Sequence, residues 1–259
     1  MGCANISDIE VFYRKFLKII LKLGKATPNC MVYGETGKMP LQLYIEKRML
    51  SFWIKISEDK EVKLATKMYK IMLKLQCLGE YNFKWLQKIQ CILDATGNHY
   101  LWEMQNYFES KLPFYSKVSQ TIYDCILSNW GEKVHSGSRC TNYKIFKHNL
   151  ELEFYLTNLA PKHRIAMSRF RCGYNRLPAN KYNSSESERK CNLCDIHDVG
   201  DEFHYLFVCN YFKSERNLYL KKYFIVRPNT LKMNQLFNVK NKKMLRNLAI
   251  FQALIMCTF

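Results

Sequence analysis

Between Cys191 and Cys209 the chain reads CNLCDIHDVGDEFHYLFVC, a C-x2-C-x9-H-x4-C pattern on Cys191, Cys194, His204 and Cys209. No other stretch restricts the fold as strongly, because a tetrahedral ion with soft or borderline ligands draws all four side chains to one point. A C-x2-C turn offers two thiolates to one ion, and a His–Cys pair from a following helical turn closes the shell. The intervening loop is too poor in apolar residues to fold alone, so binding energy there becomes folding energy. The expected cofactor is a single structural Zn2+. With 11 cysteines in 259 residues, a C-x2-C pair arises by chance roughly half a time per chain; the His-x4-Cys that follows lowers this to about a few per cent.

His197 is a fifth candidate ligand, and its crowding against the C-x2-C turn favours His204. On a regular α-helix His204 and Cys209 point about 140° apart, so the backbone must turn between them. Three cysteines and one histidine fill the shell, whereas a catalytic zinc keeps an open position. Asp195, Asp198, Asp201 and Glu202 sit in the loop and before a helix, where turn formation and first-turn charge explain them. A zinc-dependent hydrolase is therefore disfavoured, and no catalytic residue is expected.

The remaining sequence has helical periodicity, and only 10 glycines and 6 prolines interrupt it. The expected fold class is mainly α: amphipathic helical bundles with a small CCHC-type zinc-binding module. A capping box on Ser7 and Glu10 opens a helix with apolar positions Ile9, Phe12, Phe16, Ile20 and Leu23, capped at Gly24. Thr27 to Lys38 reads as a loop, and Pro40 starts a helix carrying Leu41, Tyr44, Ile45, Met49, Phe52, Trp53 and Ile56. Further helices are expected on Val62, Ala65, Met68, Tyr69, Met72 and Leu73; on Trp85, Ile89, Ile92 and Leu93; on Leu101, Trp102 and Phe108; and on Val118, Ile122, Cys125, Ile126 and Trp130.

The polar stretch Gly131 to Cys140 reads as a linker, dividing a helical domain 1–130 from a second one, 141–259, that holds the cysteine cluster and a basic tail. In the second domain helices are expected on Tyr143, Phe146, Leu150 and Phe154, from Pro161 through Phe170, and on Met244, Leu248, Phe251 and Ile255. Leu248 to Phe259 is uncharged but far shorter than the roughly 20 residues of a membrane span, so it reads as a helix docked on a core or as half of an interface. No secretory pattern stands at the N-terminus, so an intracellular chain, nuclear or cytoplasmic, with reduced cysteines is expected.

The formal charge of +18 concerns partners rather than fold. Arg164, Arg169, Arg171, Arg176 and Lys181 precede the cluster, interleaved with Phe170, Tyr174 and Tyr182. From Tyr211 onward ten basic residues, among them Arg216, Lys221, Lys222, Lys242 and Lys243, face one acid, Glu215. Arginines can fork onto phosphates and tyrosines can stack on unpaired bases, so RNA or DNA is the expected partner. The competing reading is a protein-interaction scaffold whose zinc is structural and whose charge is a solvated surface.

Phe16 to Leu41 (FLKIILKLGKATPNCMVYGETGKMPL), Arg169 to Pro178 (RFRCGYNRLP) and Gly200 to Cys209 (GDEFHYLFVC) resemble, in the same order, the region after the thumb in reverse transcriptases of animal non-LTR retrotransposons. The resemblance implies a zinc knuckle on Cys191, Cys194, His204 and Cys209 that helps hold template RNA or target DNA. It also implies Arg169 and Arg171 as backbone contacts, and a polymerase domain, missing here, as a further partner. The chain departs from the family in three respects. It has no Asp-Asp dipeptide to hold polymerase metals, Asn229 follows Pro228 where an endonuclease would need Asp, and Thr36 stands in the usual place of Leu. A binding fragment without either active site is expected.

Overall fold

The computed structural model describes residues 6–57, 63–105, 111–181 and 185–259; Val62, Phe108 and Tyr182 lie outside them. Among the described residues the chain is helical, with two isolated β-bridges and no strand. It divides into two compact units; the break at Asn129–Trp130 falls beside the expected linker, while Arg14–Lys38 groups with the second half of the chain. One comprises Met1–Tyr13 and Met39–Asn129, and the other comprises Arg14–Lys38 and Trp130–Phe259. Gly131 to Ser136, expected as linker, is the end of a helix, and a 3-10 turn at Ser138–Cys140 completes the stretch.

In order the helices are α1 (Ile6–Ile20), α2 (Asn29–Thr36), α3 (Leu41–Ser57), α4 (Leu64–Cys77), α5 (Lys84–Ala95), α6 (His99–Met104) and α7 (Lys111–Ser136). Then come α8 (Tyr143–Phe146), α9 (Phe154–Asn158), α10 (Pro161–Arg171), α11 (Lys213–Tyr219), α12 (Lys222–Ile225), α13 (Thr230–Phe237) and α14 (Lys242–Thr258). No helix of the described residues is long and apolar enough to cross a membrane.

The first unit packs α3 against α4 and α5, and α5 against α6. Leu50, Trp53, Leu86, Ile89, Leu93 and Val118 are fully buried in it. Trp53 Nε1 donates to Tyr69 Oη at 2.7 Å, so the indole's one polar atom is satisfied in the core. Tyr69 is the main anchor of α4, while Ala65 and Met68 from its expected face are exposed. Glu10 does not close a capping box, because α1 already runs from Ile6; its carboxylate instead accepts from Leu41 N at 2.7 Å, at the start of α3.

The apolar stripe of α1 is inverted from expectation. Ile9, Phe12, Phe16 and Ile20 are exposed, and the helix buries Glu10 and Leu17. Gly24 is not its cap. The left-handed residue is Lys22 (φ 54°), with Leu23 N bonded to Lys18 O and Lys22 N to Ile19 O, the paired bonds of a Schellman ending.

In the second unit the expected loop after Thr27 contains α2, whose residues Cys30 to Thr36 are all buried. The expected helix on Tyr143 through Phe154 breaks into α8 and α9, separated by a segment in which Leu152 bridges Thr36. Pro161 starts α10 as expected, its fixed φ fitting the first helical turn. The closing helix α14 lies along α10 and α11 and buries Met244, Leu248, Phe251 and Ile255, the face read from the sequence. Phe146 stacks on Phe237 with ring centroids 4.3 Å apart, joining α8 to α13.

Candidate metal centre

Lys190 and Val199 form an antiparallel bridge, reinforced where Cys191 N donates to Asp198 O at 2.8 Å and Gly200 N to Arg189 O at 2.8 Å. The bridge pins the two ends of a tight loop in which Cys191 is buried and Cys194 half-buried. Leu193 N points at Cys191 Sγ from 3.4 Å, so a backbone amide stabilises negative charge on that sulfur. Gly200 is required by close approach. A Cβ there would lie 2.7 Å from Tyr205 Oη and 3.2 Å from Pro178 Cγ.

His204 to Val208 form a π-helical turn, closed by Cys209 N donating to His204 O at 2.8 Å. The wider turn is the structural answer to the five-residue spacing: an i→i+5 bond brings together residues that an α-helix would splay apart. Asp201 Oδ1 accepts from His204 N at 2.8 Å and so caps the start of the turn. At its other end Arg216 of α11, buried, donates to Leu206 O at 2.8 Å and Cys209 O at 2.6 Å.

These elements gather Cys191 Sγ, Cys194 Sγ, the His204 ring and Cys209 Sγ within 4.8 Å of one another, a group that could hold a metal ion. The separations are 3.7 Å between Cys191 and Cys194, 3.9 Å between Cys191 and Cys209, and 3.5 Å from Cys194 Sγ to His204 Nε2. His197 is exposed, in a left-handed conformation (φ 57°), and lies outside the group.

Burial sets the protonation of the ligands. It holds the His204 imidazole below its ordinary value, the neutral form a metal requires, and pushes the Cys209 thiol up to about 12. At Cys191 burial is again the largest influence, but the Tyr205 hydroxyl, the Leu193 amide and the thiol and amide of Cys194 together outweigh it and lower the thiol. An ion bound by this group would have to supply the drive to deprotonate Cys209. Three thiolates and a neutral imidazole around a divalent cation would sum to a single negative charge, which the Arg216 guanidinium at the Cys209 carbonyl would offset.

Of the nearby acids, Asp195 and Asp198 are exposed in the loop. Glu202 departs from its expected role as first-turn charge. It is buried and accepts from Asn142 at 2.7 Å, Asn175 at 3.0 Å and Asn180 at 2.6 Å. A carboxylate satisfied by amide donors on three segments is a pin for the loop, and its long-range partners left no mark in the local sequence.

The expected phosphate contacts separate into three groups. Arg176, Lys181, Lys221, Lys222, Lys242 and Lys243 are exposed. Arg164 and Arg169 are half-buried, donating to Leu156 O and Lys22 O at 3.0 Å each. Arg171 is corrected outright. Its side chain is fully buried and ion-paired with Glu35 and Glu153, so it cannot reach a phosphate. Arg216 of the basic tail is likewise interior.

Compared with known proteins, the chain matches no family model, no curated protein and no solved structure.

Proposed function

We propose that this chain is a zinc-stabilised nucleic-acid-binding module, and that it acts by binding rather than by catalysis. The observation that carries the reading is the spacing of the ligand atoms. Tetrahedral zinc with Zn–S near 2.3 Å and Zn–N near 2.0–2.1 Å requires S···S of about 3.8 Å and S···N of about 3.6 Å. Two of the sulfur pairs are 3.7 and 3.9 Å apart and one sulfur–nitrogen pair is 3.5 Å apart, and all four ligand atoms lie within 4.8 Å of one another. Cys191, Cys194, His204 and Cys209 would hold the ion, which supplies a cross-link between the loop and the π-turn. A full shell leaves no position for water, so the ion's role is architectural.

The partner is inferred from charge. A chain of +18 with exposed Arg176, Lys181, Lys221, Lys222, Lys242 and Lys243 in the unit that holds the metal group suits a polyanion. The likeness to the post-thumb region of non-LTR retrotransposon reverse transcriptases points the same way, to template RNA or target DNA. A protein-interaction scaffold draws on a different observation, the exposed Phe12, Phe16, Ile19 and Ile20 of α1.

Fluorescence anisotropy of labelled single-stranded RNA and duplex DNA, titrated with the full chain across a salt series, separates the two. Phosphate binding gives affinity that falls steeply and linearly in log–log form as salt rises. Absence of binding to either probe at low salt overturns the nucleic-acid reading and leaves the scaffold.

A further inference from the structure

Outside the metal group, two cysteines distant in sequence are held sulfur to sulfur. Cys30 lies in the first turn of α2 and Cys140 ends the 3-10 turn after α7, and their Sγ atoms are 3.8 Å apart. The backbones that carry them are braced on both sides of the pair. Trp130 Nε1 donates to Cys30 O at 2.8 Å, and Arg139 Nη1 donates to Ala26 O at 2.8 Å. Gly137 leaves the room: a Cβ there would lie 3.0 Å from Cys140 Sγ and 2.7 Å from Lys133 O.

The two thiols are not equivalent. Cys30 retains 9% exposure against 1% for Cys140, so a small reagent meets Cys30 first. A thiol at a helix N-terminus faces unpaired amides and the positive end of the dipole, the setting that favours thiolate. Hydrogen bonding from Cys140 is the largest influence lowering Cys30, which settles at about 7 against the opposing effect of burial, with the Met31 and Cys30 amides and Lys133 assisting. Cys140 moves upward for the same reason, as the partner that keeps the proton.

We propose that Cys30 and Cys140 are a peroxide-responsive dithiol, with Cys30 as the attacking sulfur and Cys140 as the resolving one. The Cys30 thiolate attacks one oxygen of a hydroperoxide and the O–O bond breaks. The departing hydroxide or alkoxide takes up the proton that Cys30 released and leaves as water or alcohol. Cys30 becomes a sulfenic acid, oxidised by two electrons while the peroxide is reduced by two. Cys140 Sγ then attacks the Cys30 sulfur, the S–O bond breaks, and the hydroxyl departs as water with the Cys140 proton. The product is a disulfide joining α2 to the turn after α7, and a thiol reductant returns it to two thiols.

The test uses the full chain, reduced and supplied with zinc, exposed to stoichiometric hydrogen peroxide, blocked with a maleimide and digested without reduction for peptide mass spectrometry. The expected product is one linked pair of peptides carrying Cys30 and Cys140, about two mass units below the two thiol peptides and cleaved by dithiothreitol. Cys140→Ser is expected to leave Cys30 as a sulfenic acid captured by dimedone. Moving from about pH 7 to about pH 5 is expected to slow the first step roughly 50-fold, as the thiolate fraction at Cys30 falls. Peptides of Cys30 and Cys140 that stay reduced, or a first disulfide that involves Cys172 or a member of the metal group instead, would overturn the proposal. Because the readout is by peptide, it stands whether or not the chain binds nucleic acid.

Discussion

Arg171 holds Glu35 through two hydrogen bonds, Nε to Oε2 at 2.8 Å and Nη2 to Oε1 at 3.1 Å, with neither side chain exposed. The same guanidinium reaches Glu153 at 3.0 Å and Phe237 O at 3.0 Å, and its Cζ lies 4.6 Å from the centre of the Phe146 ring. Lys147, 3% exposed, pairs with Glu153, and Tyr155 Oη donates to Glu35 at 2.7 Å. Two cations thus meet two carboxylates inside the second unit, linking α2, α10 and the segment before α9. Burial alone would lower the Arg171 pKa, but Glu35 and Glu153 outweigh it and the group stays charged.

Truncating one partner of such a network strands the other, so Arg171→Ala is expected to cost about 3–5 kcal/mol of folding stability. Arg171→Lys recovers little of it, because an ammonium cannot reproduce the two-pronged contact with Glu35 and the bond to Phe237 O together. Arg176→Ala, at an exposed position, is expected to change stability by less than about 0.5 kcal/mol. Urea denaturation of the three variants checks this. Equal effects of Arg171→Ala and Arg176→Ala would contradict the interior assignment.

Asp201 touches no ligand atom of the metal group, yet it fixes the amide of His204 and also accepts from Asn142 Nδ2 at 3.1 Å. Asp201→Ala is expected to weaken zinc binding by about 10-fold or more, whereas Asp201→Asn keeps an acceptor for His204 N and retains most of the affinity. Competition with a chromophoric chelator measures both.

Arg216 satisfies the carbonyls of Leu206 and Cys209 at the end of the π-turn. Replacing it with Met keeps the bulk and leaves those acceptors unpaired, at an expected cost of about 1–3 kcal/mol each. Thermal melts of the zinc-loaded variant would show the loss directly.

Gly200→Ala drives a methyl against the Tyr205 hydroxyl, with an expected cost of about 1–3 kcal/mol. Tyr205→Phe removes the oxygen, so Gly200→Ala in that background is expected to cost less. A double-mutant cycle gives the coupling, and strict additivity would contradict the contact.

Lys242 and Lys243 are exposed in the first turn of α14. If each neutralises a phosphate, replacing both with Gln lowers the slope of log affinity against log salt by about two, with no change in zinc content. An unchanged slope would remove these two residues from the interface.

The sequence was informative where a pattern is local and its environment one-sided. The buried face of α14 on Met244, Leu248, Phe251 and Ile255 follows from helical spacing, and the grouping of Cys191, Cys194, His204 and Cys209 follows from residue type and separation. It was silent where the decisive partner is distant. Glu35 lies 136 positions from Arg171, and nothing in either neighbourhood announces the pair, so Arg171 reads as one more surface cation. Periodicity in α1 marks an apolar stripe but not which side of the helix the rest of the chain covers, and Phe12 and Phe16 face outward. The His204–Cys209 spacing does signal an irregular turn; that the irregularity is a π-turn capped by Asp201 and clamped by Arg216 is a tertiary fact.

The most direct test of the account is the zinc content of the purified full chain and of Cys209→Ser, measured by atomic emission after exhaustive dialysis. One zinc per chain in the wild type and none retained by the variant is the predicted result. A folded wild-type chain that retains no zinc, or a variant that retains as much as the wild type, would contradict it.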